Sequence, residues 1–136
     1  MHAEDRLSIV ELQVEGPRIA DALHAVETVC CWEYIDVPPP SRSAAIRLKK
    51  LLLAIAPFTP IGPQEIRIGP SKRGGLYVRL FDERHREIAV VVHNDDNEVM
   101  CIYGKEWRTK PKFNHRHISV DEAVFDLMER FNAASL

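Results

Sequence analysis

Residues 74–103 read GGLYVRLFDERHREIAVVVHNDDNEVMCIY. Gly74-Gly75 is a turn signal. Leu76, Val78 and Leu80 then alternate with Tyr77, Arg79 and Phe81, the period of a strand with one apolar side. The polar residues from Asp82 to His85 make a turn. Ile88 to Val92 is a continuous apolar run, which predicts a central strand buried on both faces. Asn94-Asp95-Asp96-Asn97 is a tight turn, and Val99 to Tyr103 is the return strand. Links this short join antiparallel neighbours, so the stretch predicts a β-meander.

Upstream, Gln64 to Gly69 predicts a further short strand. Before it, Pro57, Pro60 and Pro63 force an extended segment, since proline fixes its own φ and restricts the residue before it. Ser41 is a good N-cap for a helix running to about Ala56, with Ala45, Leu48, Leu52 and Ile55 inward. Val37-Pro38-Pro39-Pro40 is a stiff connector into it. An earlier helix starts at Pro17 and ends near Trp32, with Ile19, Leu23, Val26 and Cys30 as its stripe. Leu7 to Glu15 alternates as a half-buried strand, although Leu7, Val10 and Val14 also fit a helix. Downstream, Lys105 to His117 reads as irregular. Ser119 and Glu122 then form a capping box that opens a final helix on Val120, Val124, Leu127 and Phe131. The expected fold is a single α+β domain over 1–136, an antiparallel β-meander of about four to five strands flanked by three helices.

The bulk numbers agree with that. A chain of 136 residues with 46% hydrophobic and 28% charged residues has a normal globular balance. It can bury roughly 65–70% of its unfolded surface, so it needs no disulfide or structural metal. Cys30, Cys31 and Cys101 are an odd set with two adjacent members, which reads as reduced thiols in a cytoplasmic protein. No signal peptide is expected at the N-terminus, and no apolar run approaches the ~20 residues of a membrane span.

Charge is uneven. Residues 1–36 carry eight acids against two bases, 37–118 carry fifteen bases against eight acids, and 119–136 carry four acids against one base. Either the acidic ends fold back on the basic middle, or the middle meets an anionic partner.

From Trp32 to Tyr103 the chain resembles a pattern of small bacterial proteins of unknown function. Its features here are Trp32, the turn Pro38 to Ser41, the helix around Leu48 to Leu52, the extension Pro57 to Pro63, Gly74-Gly75 and three short strands. The chain departs from the pattern at Trp32-Glu33-Tyr34, where Trp-Asp-Gly is usual, and at Phe81-Asp82, where Glu-Trp is frequent. The resemblance implies a helix-then-meander architecture and no chemistry.

Motifs for catalysis are sparse. His115 and His117, at i and i+2, would share one side of an extended chain and with His93 or Cys101 could hold a metal. No Cys-x-x-Cys or His-Glu-x-x-His spacing accompanies them, so no metal and no cofactor are expected. Asp95, Asp96 and Glu98 lack the ligand spacing and glycine of a calcium loop. The three cysteines read as core or half-buried thiols, and Ser71-Lys72-Arg73-Gly74-Gly75 as a hairpin turn rather than a phosphate cradle.

The segment holding Lys105, Trp107, Arg108, Lys110, Lys112, Phe113 and Arg116 interleaves bases with rings. Bases neutralise phosphates and rings stack on bases, so nucleic acid is one expected partner. The pI of about 6.3 is low for such a binder. Aromatic and arginine residues equally suit an acidic protein surface. The expected function is therefore non-enzymatic binding of another protein by a bacterial or phage-type inhibitor, immunity factor, antitoxin or adaptor. The alternatives are a nucleic-acid-binding module, or an enzyme whose site assembles from dispersed residues such as Glu65, His93 and His115. An exposed sheet edge would also permit a homodimer.

Overall fold

The computed structural model describes residues 11–15, 18–55, 63–104 and 115–135. Its elements run β1 (Leu12–Glu15), α1 (Ile19–Cys30), α2 (Arg42–Ile55), β2 (Glu65–Pro70), β3 (Gly75–Phe81), β4 (Glu87–His93), β5 (Val99–Tyr103), β6 (His115–Ile118) and α3 (Val120–Ser135). The six strands form one antiparallel sheet in chain order, β1 to β6. This is the α+β meander the sequence predicts, with more strands than expected. β6 falls on the segment read as irregular. It carries no apolar alternation of its own and is fixed by pairing with β5, Val99 opposite Ile118 and Met100 opposite His117.

The turns follow from local chemistry. Gly74 and Gly75 have φ of 91° and 132°, the region that favours glycine, and a Cβ on Gly75 would meet the Val92 carbonyl oxygen at 2.1 Å. At the β3–β4 turn Asp82 is buried, and its carboxylate accepts from the Arg84 and Arg86 amides, both at 2.9 Å, and from Arg86 Nε at 2.8 Å. Ser41 Oγ accepts from the Ala44 amide at 3.0 Å, and Ser119 Oγ from the Glu122 amide at 3.1 Å, so both serine N-caps form, while Glu122 Oε1 accepts from the Ser119 hydroxyl at 3.4 Å instead of the amide a full capping box would use.

All three helices lie on one face of the sheet. α1 packs on β1 and β2, α2 on β3 and β4, and α3 on β5, with α2 between the other two. Every strand sends alternate side chains into this layer: Val14, Ile66 and Ile68, Leu76, Val78 and Leu80, Ile88, Val90 and Val92, Val99, Cys101 and Tyr103, and Ile118. None of these is more than 7% exposed. Leu48, Leu51 and Leu52 of α2 and Leu127 of α3 are fully buried against them. On α1 the predicted stripe is displaced. Ala22, Ala25, Val26 and Val29 are buried, while Ile19, Leu23 and Cys30 sit at its border, because small residues let α1 close on both sheet and α2.

The acidic ends do fold back on the basic middle. Lys49 of α2 pairs with Glu27, Lys50 with Asp121 at 3.6 Å, and Arg79 of β3 with Glu11 at 2.8 Å.

β4 corrects one expectation. Its apolar run is buried on one face only: Ile88, Val90 and Val92 are inaccessible, whereas Ala89 and Val91 are half-buried on the side without helices. What covers them in part is not a second layer but the connection between α1 and α2.

Candidate functional site

That connection, Cys31 to Ser41, leaves the helix layer and returns beside the open face of the sheet. Two hydrogen bonds hold its start: the Trp32 amide and the Tyr34 hydroxyl both donate to the Val29 carbonyl, at 3.2 and 2.6 Å. The Trp32 side chain also packs against the core. Burial, and then the nearby Cys30 thiol, push the Tyr34 hydroxyl up to about 12. Asn94, in the β4–β5 turn, holds the end. Its side chain donates to the Pro39 carbonyl at 2.9 Å and accepts from the Ser41 amide at 2.6 Å. Between these two anchors the chain forms an overhang, with Ile35 at its tip 85% exposed.

Beneath the overhang is a cleft of about 1090 Å³. Its floor is the open face of the sheet: Ala89 and Val91 of β4, Ile102 of β5 and Tyr77 of β3. The overhang contributes Trp32, Ile35 and Val37 as apolar wall and Glu33 and Asp36 as acids. Lys72, from the β2–β3 turn, also lines the cleft.

The end of the floor nearest β1 is charged. Register sets Arg67 of β2 directly opposite Arg79 of β3. Like charges in that position repel, and three carboxylates offset them. Glu65 pairs with Arg67 Nε at 2.6 Å. Glu87 takes Arg79 on two atoms, Nε at 3.0 Å and Nη2 at 2.9 Å. Glu11, just before β1, is shared: its Oε1 lies 2.8 Å from Arg79 Nη1 and 3.5 Å from Arg67 Nη1. The ring of Phe81 lies 5.2 Å from one guanidinium and 5.1 Å from the other. The Glu87 hydrogen bonds lead in holding the Arg79 guanidinium charged even more firmly than usual.

Tyr77 completes the group by donating to Glu11 Oε2 at 2.5 Å. It reaches that far because its cross-strand partner is Gly69. A Cβ there would meet the phenol oxygen at 2.5 Å, so the ring lies flat over the glycine. Burial first, and the hydrogen bond to Glu11 second, push the Tyr77 hydroxyl well above its ordinary value near 10.

The structure places the sequence-predicted residues unevenly. Lys105, Trp107, Arg108, Lys110, Lys112 and Phe113 lie outside the described residues. Arg116 is in β6, its backbone opposite Cys101. Glu65 and His93, named for a dispersed catalytic site, sit at opposite ends of the sheet. Glu65 registers through Phe81 with Glu87, six residues and roughly 20 Å along β4 from His93. His115 is opposite Ile102. Cys101 is buried on the helix-covered face while His117 is exposed, and no group of His, Cys, Asp or Glu able to hold a metal occurs among the described residues. Cys31 is exposed at the end of α1, contrary to the reading of all three cysteines as at least half-buried. Burial, then the neighbouring Cys31, push the Cys30 thiol up, away from the thiolate a nucleophile requires.

The cleft was missed because its parts are far apart in sequence, Glu11 and Arg79 above all. One local signal existed. Ala89 and Val91 stand where alternation calls for polar residues, and two-sided burial explained them without a binding surface.

No helix among the described residues is long and apolar enough to cross a membrane. No family model matches the chain, and neither a curated protein nor a solved structure matches it.

Proposed function

We propose that this is a non-enzymatic cytosolic protein of bacterial or phage type that acts by binding another protein, in the manner of an inhibitor, immunity factor, antitoxin or adaptor, and that the cleft on the open sheet face holds a segment of the partner. The observation that carries this reading is the apolar floor of Ala89, Val91 and Ile102 beneath an overhang whose Ile35 is 85% exposed. An exposed large aliphatic beside an apolar surface rimmed by charge is what an interface presents before its partner covers it.

The test is a tagged pull-down from host lysate with and without nuclease, repeated with Ile35→Asp and Val91→Lys. Both positions face solvent or the cleft, so each variant should stay within about 1 kcal/mol of wild-type stability. A stoichiometric protein that wild type retains and both variants lose, with affinity reduced at least about tenfold, is the expected result. Retention by both variants, with loss instead on charge removal at Arg108, Lys110 and Lys112, would assign the contact to the basic aromatic segment. Recovery that collapses on nuclease treatment would replace a protein partner with nucleic acid.

A further inference from the structure

We infer that Arg67, Arg79 and Tyr77 form a carboxylate-binding subsite at the charged end of the cleft, that Glu11 fills it in the free chain, and that the partner's segment carries an acidic side chain which takes Glu11's place. The inference rests on the cleft being the binding site, and it specifies the chemistry of what binds.

Convergence is the first argument. Both oxygens of one carboxylate are met: Oε1 by the two guanidiniums, at 2.8 and 3.5 Å, and Oε2 by the phenol at 2.5 Å. Charge-assisted bonds of this kind are the strong ones.

The second argument is that the donors are positioned without Glu11. Glu87 clamps Arg79 on two atoms, Glu65 holds Arg67, and Phe81 lies against both guanidiniums. Gly69 fixes where the Tyr77 ring lies. Glu65 and Glu87 alone balance the two arginines. Glu11 is a third negative charge, held by the shape of the donor set rather than required for neutrality. A receptor built this way stays assembled when its occupant leaves.

The third argument concerns how easily Glu11 leaves. The β1–β2 ladder begins at Leu12 opposite Ile68, so Glu11 lies just outside it. Swinging its side chain away breaks the three side-chain contacts and no sheet hydrogen bond. The same carboxylate lines the cleft, so an incoming acid approaches along the floor and displaces it in place. Glu11 thus acts as an internal competitor, lowering the apparent affinity for the partner by the fraction of time it occupies the subsite.

The experiment empties the subsite and refills it. Glu11→Ala removes the competitor, and Glu11→Gln keeps an acceptor for Tyr77 should the alanine variant fold poorly. Thermal unfolding is followed in each variant against sodium propionate, with propionamide and sodium chloride of equal ionic strength as controls. Propionate should raise the Tm of Glu11→Ala by about 2–5 °C in a saturable manner, because it binds the folded state alone. Propionamide and chloride should not. Wild type should shift by less than half as much, and Glu11→Ala with Arg79→Gln should not respond. A propionate response no larger than that to chloride, or one that survives Arg79→Gln, would overturn the subsite. It would leave the cleft itself to the pull-down with Ile35→Asp and Val91→Lys, so the two ideas fail separately.

Discussion

The two faces of the sheet are made by the same strands, residue by alternate residue, and they differ in almost every physical respect. On the helix-covered face the strands place aliphatics, with Cys101 and Tyr103, and all are essentially inaccessible. Among the described residues, one polar group there is the Tyr103 hydroxyl, which donates to Asp126 of α3 beside Arg130, whose guanidinium lies 4.1 Å from the Tyr103 ring. The open face mixes two cross-strand arginines, three glutamates, a tyrosine laid over a glycine, and apolar residues left half-covered. The covered face obeys one rule, exclusion of water, and any aliphatic of the right volume satisfies it. Much of the open face depends on particular partners at particular distances. Stability is therefore concentrated on the first face and specificity on the second.

The largest expected effect tests that division directly. Leu80→Ala removes a fully buried side chain near the end of β3. It should cost about 2–5 kcal/mol, measured as a fall in the denaturant midpoint without a change in slope. Val91→Ala, on the neighbouring strand but the other face, should cost less than about 1 kcal/mol because its side chain is half-buried and its neighbours border a cleft. Equal costs would mean that the cleft floor is part of the core, and the contrast between the faces would fail.

The same contrast explains what could be read from the sequence. The covered face is legible because its rule is periodic: Leu76, Val78 and Leu80 announce their strand, and the short turns fix antiparallel order. Both helix caps are legible because Ser41 and Ser119 act on amides only three residues away. β6 was not legible, since Arg116 and His117 have no apolar period and are ordered by β5 across a long connection. The subsite was less legible still. Nothing near Glu11 in sequence points to Arg79, and the sheet order that brings them together is a property of the whole fold. Of the two readings of the uneven charge, pairs such as Lys49 with Glu27 and Arg79 with Glu11 fit acidic ends meeting a basic middle, but bulk charge does not reveal which acid meets which base.

A smaller effect probes how the open face is built. Gly69→Ala should swing the Tyr77 ring aside, since a Cβ cannot sit 2.5 Å from the phenol oxygen. The ring moves at its free end, so the cost is the hydrogen bond to Glu11 and some packing, about 0.5–1.5 kcal/mol. In a Tyr77→Ala background the same substitution should be neutral or stabilising, because alanine then only reduces the entropy of the unfolded chain. That double-mutant cycle isolates the coupling between the two residues. Additive costs would show that Gly69 is there for the backbone and not for Tyr77.

The smallest effect appears in alkaline solution. Tyr77 ionises well above its ordinary value near 10, raised first by burial and then by Glu11, so the folded state keeps a proton that the unfolded state gives up. A group of this kind contributes its full stability below the unfolded value and loses it as pH rises toward the folded one. Stability should therefore fall as pH climbs above about 10. Tyr34, raised to about 12, and Tyr103, raised by burial and by its bond to Asp126, add to the same slope. Tyr77→Phe removes one contributor, so its Tm should fall less steeply than that of wild type between pH 10 and 12, about one-third of the tyrosine-linked slope being lost. Glu11→Gln should act in the same direction but more weakly, because burial, the larger cause, stays in place. Should Tyr77→Phe leave the slope unchanged, the Tyr77 hydroxyl would be open to solvent, and the open face would lack the fixed donor that distinguishes it from a plain charged surface.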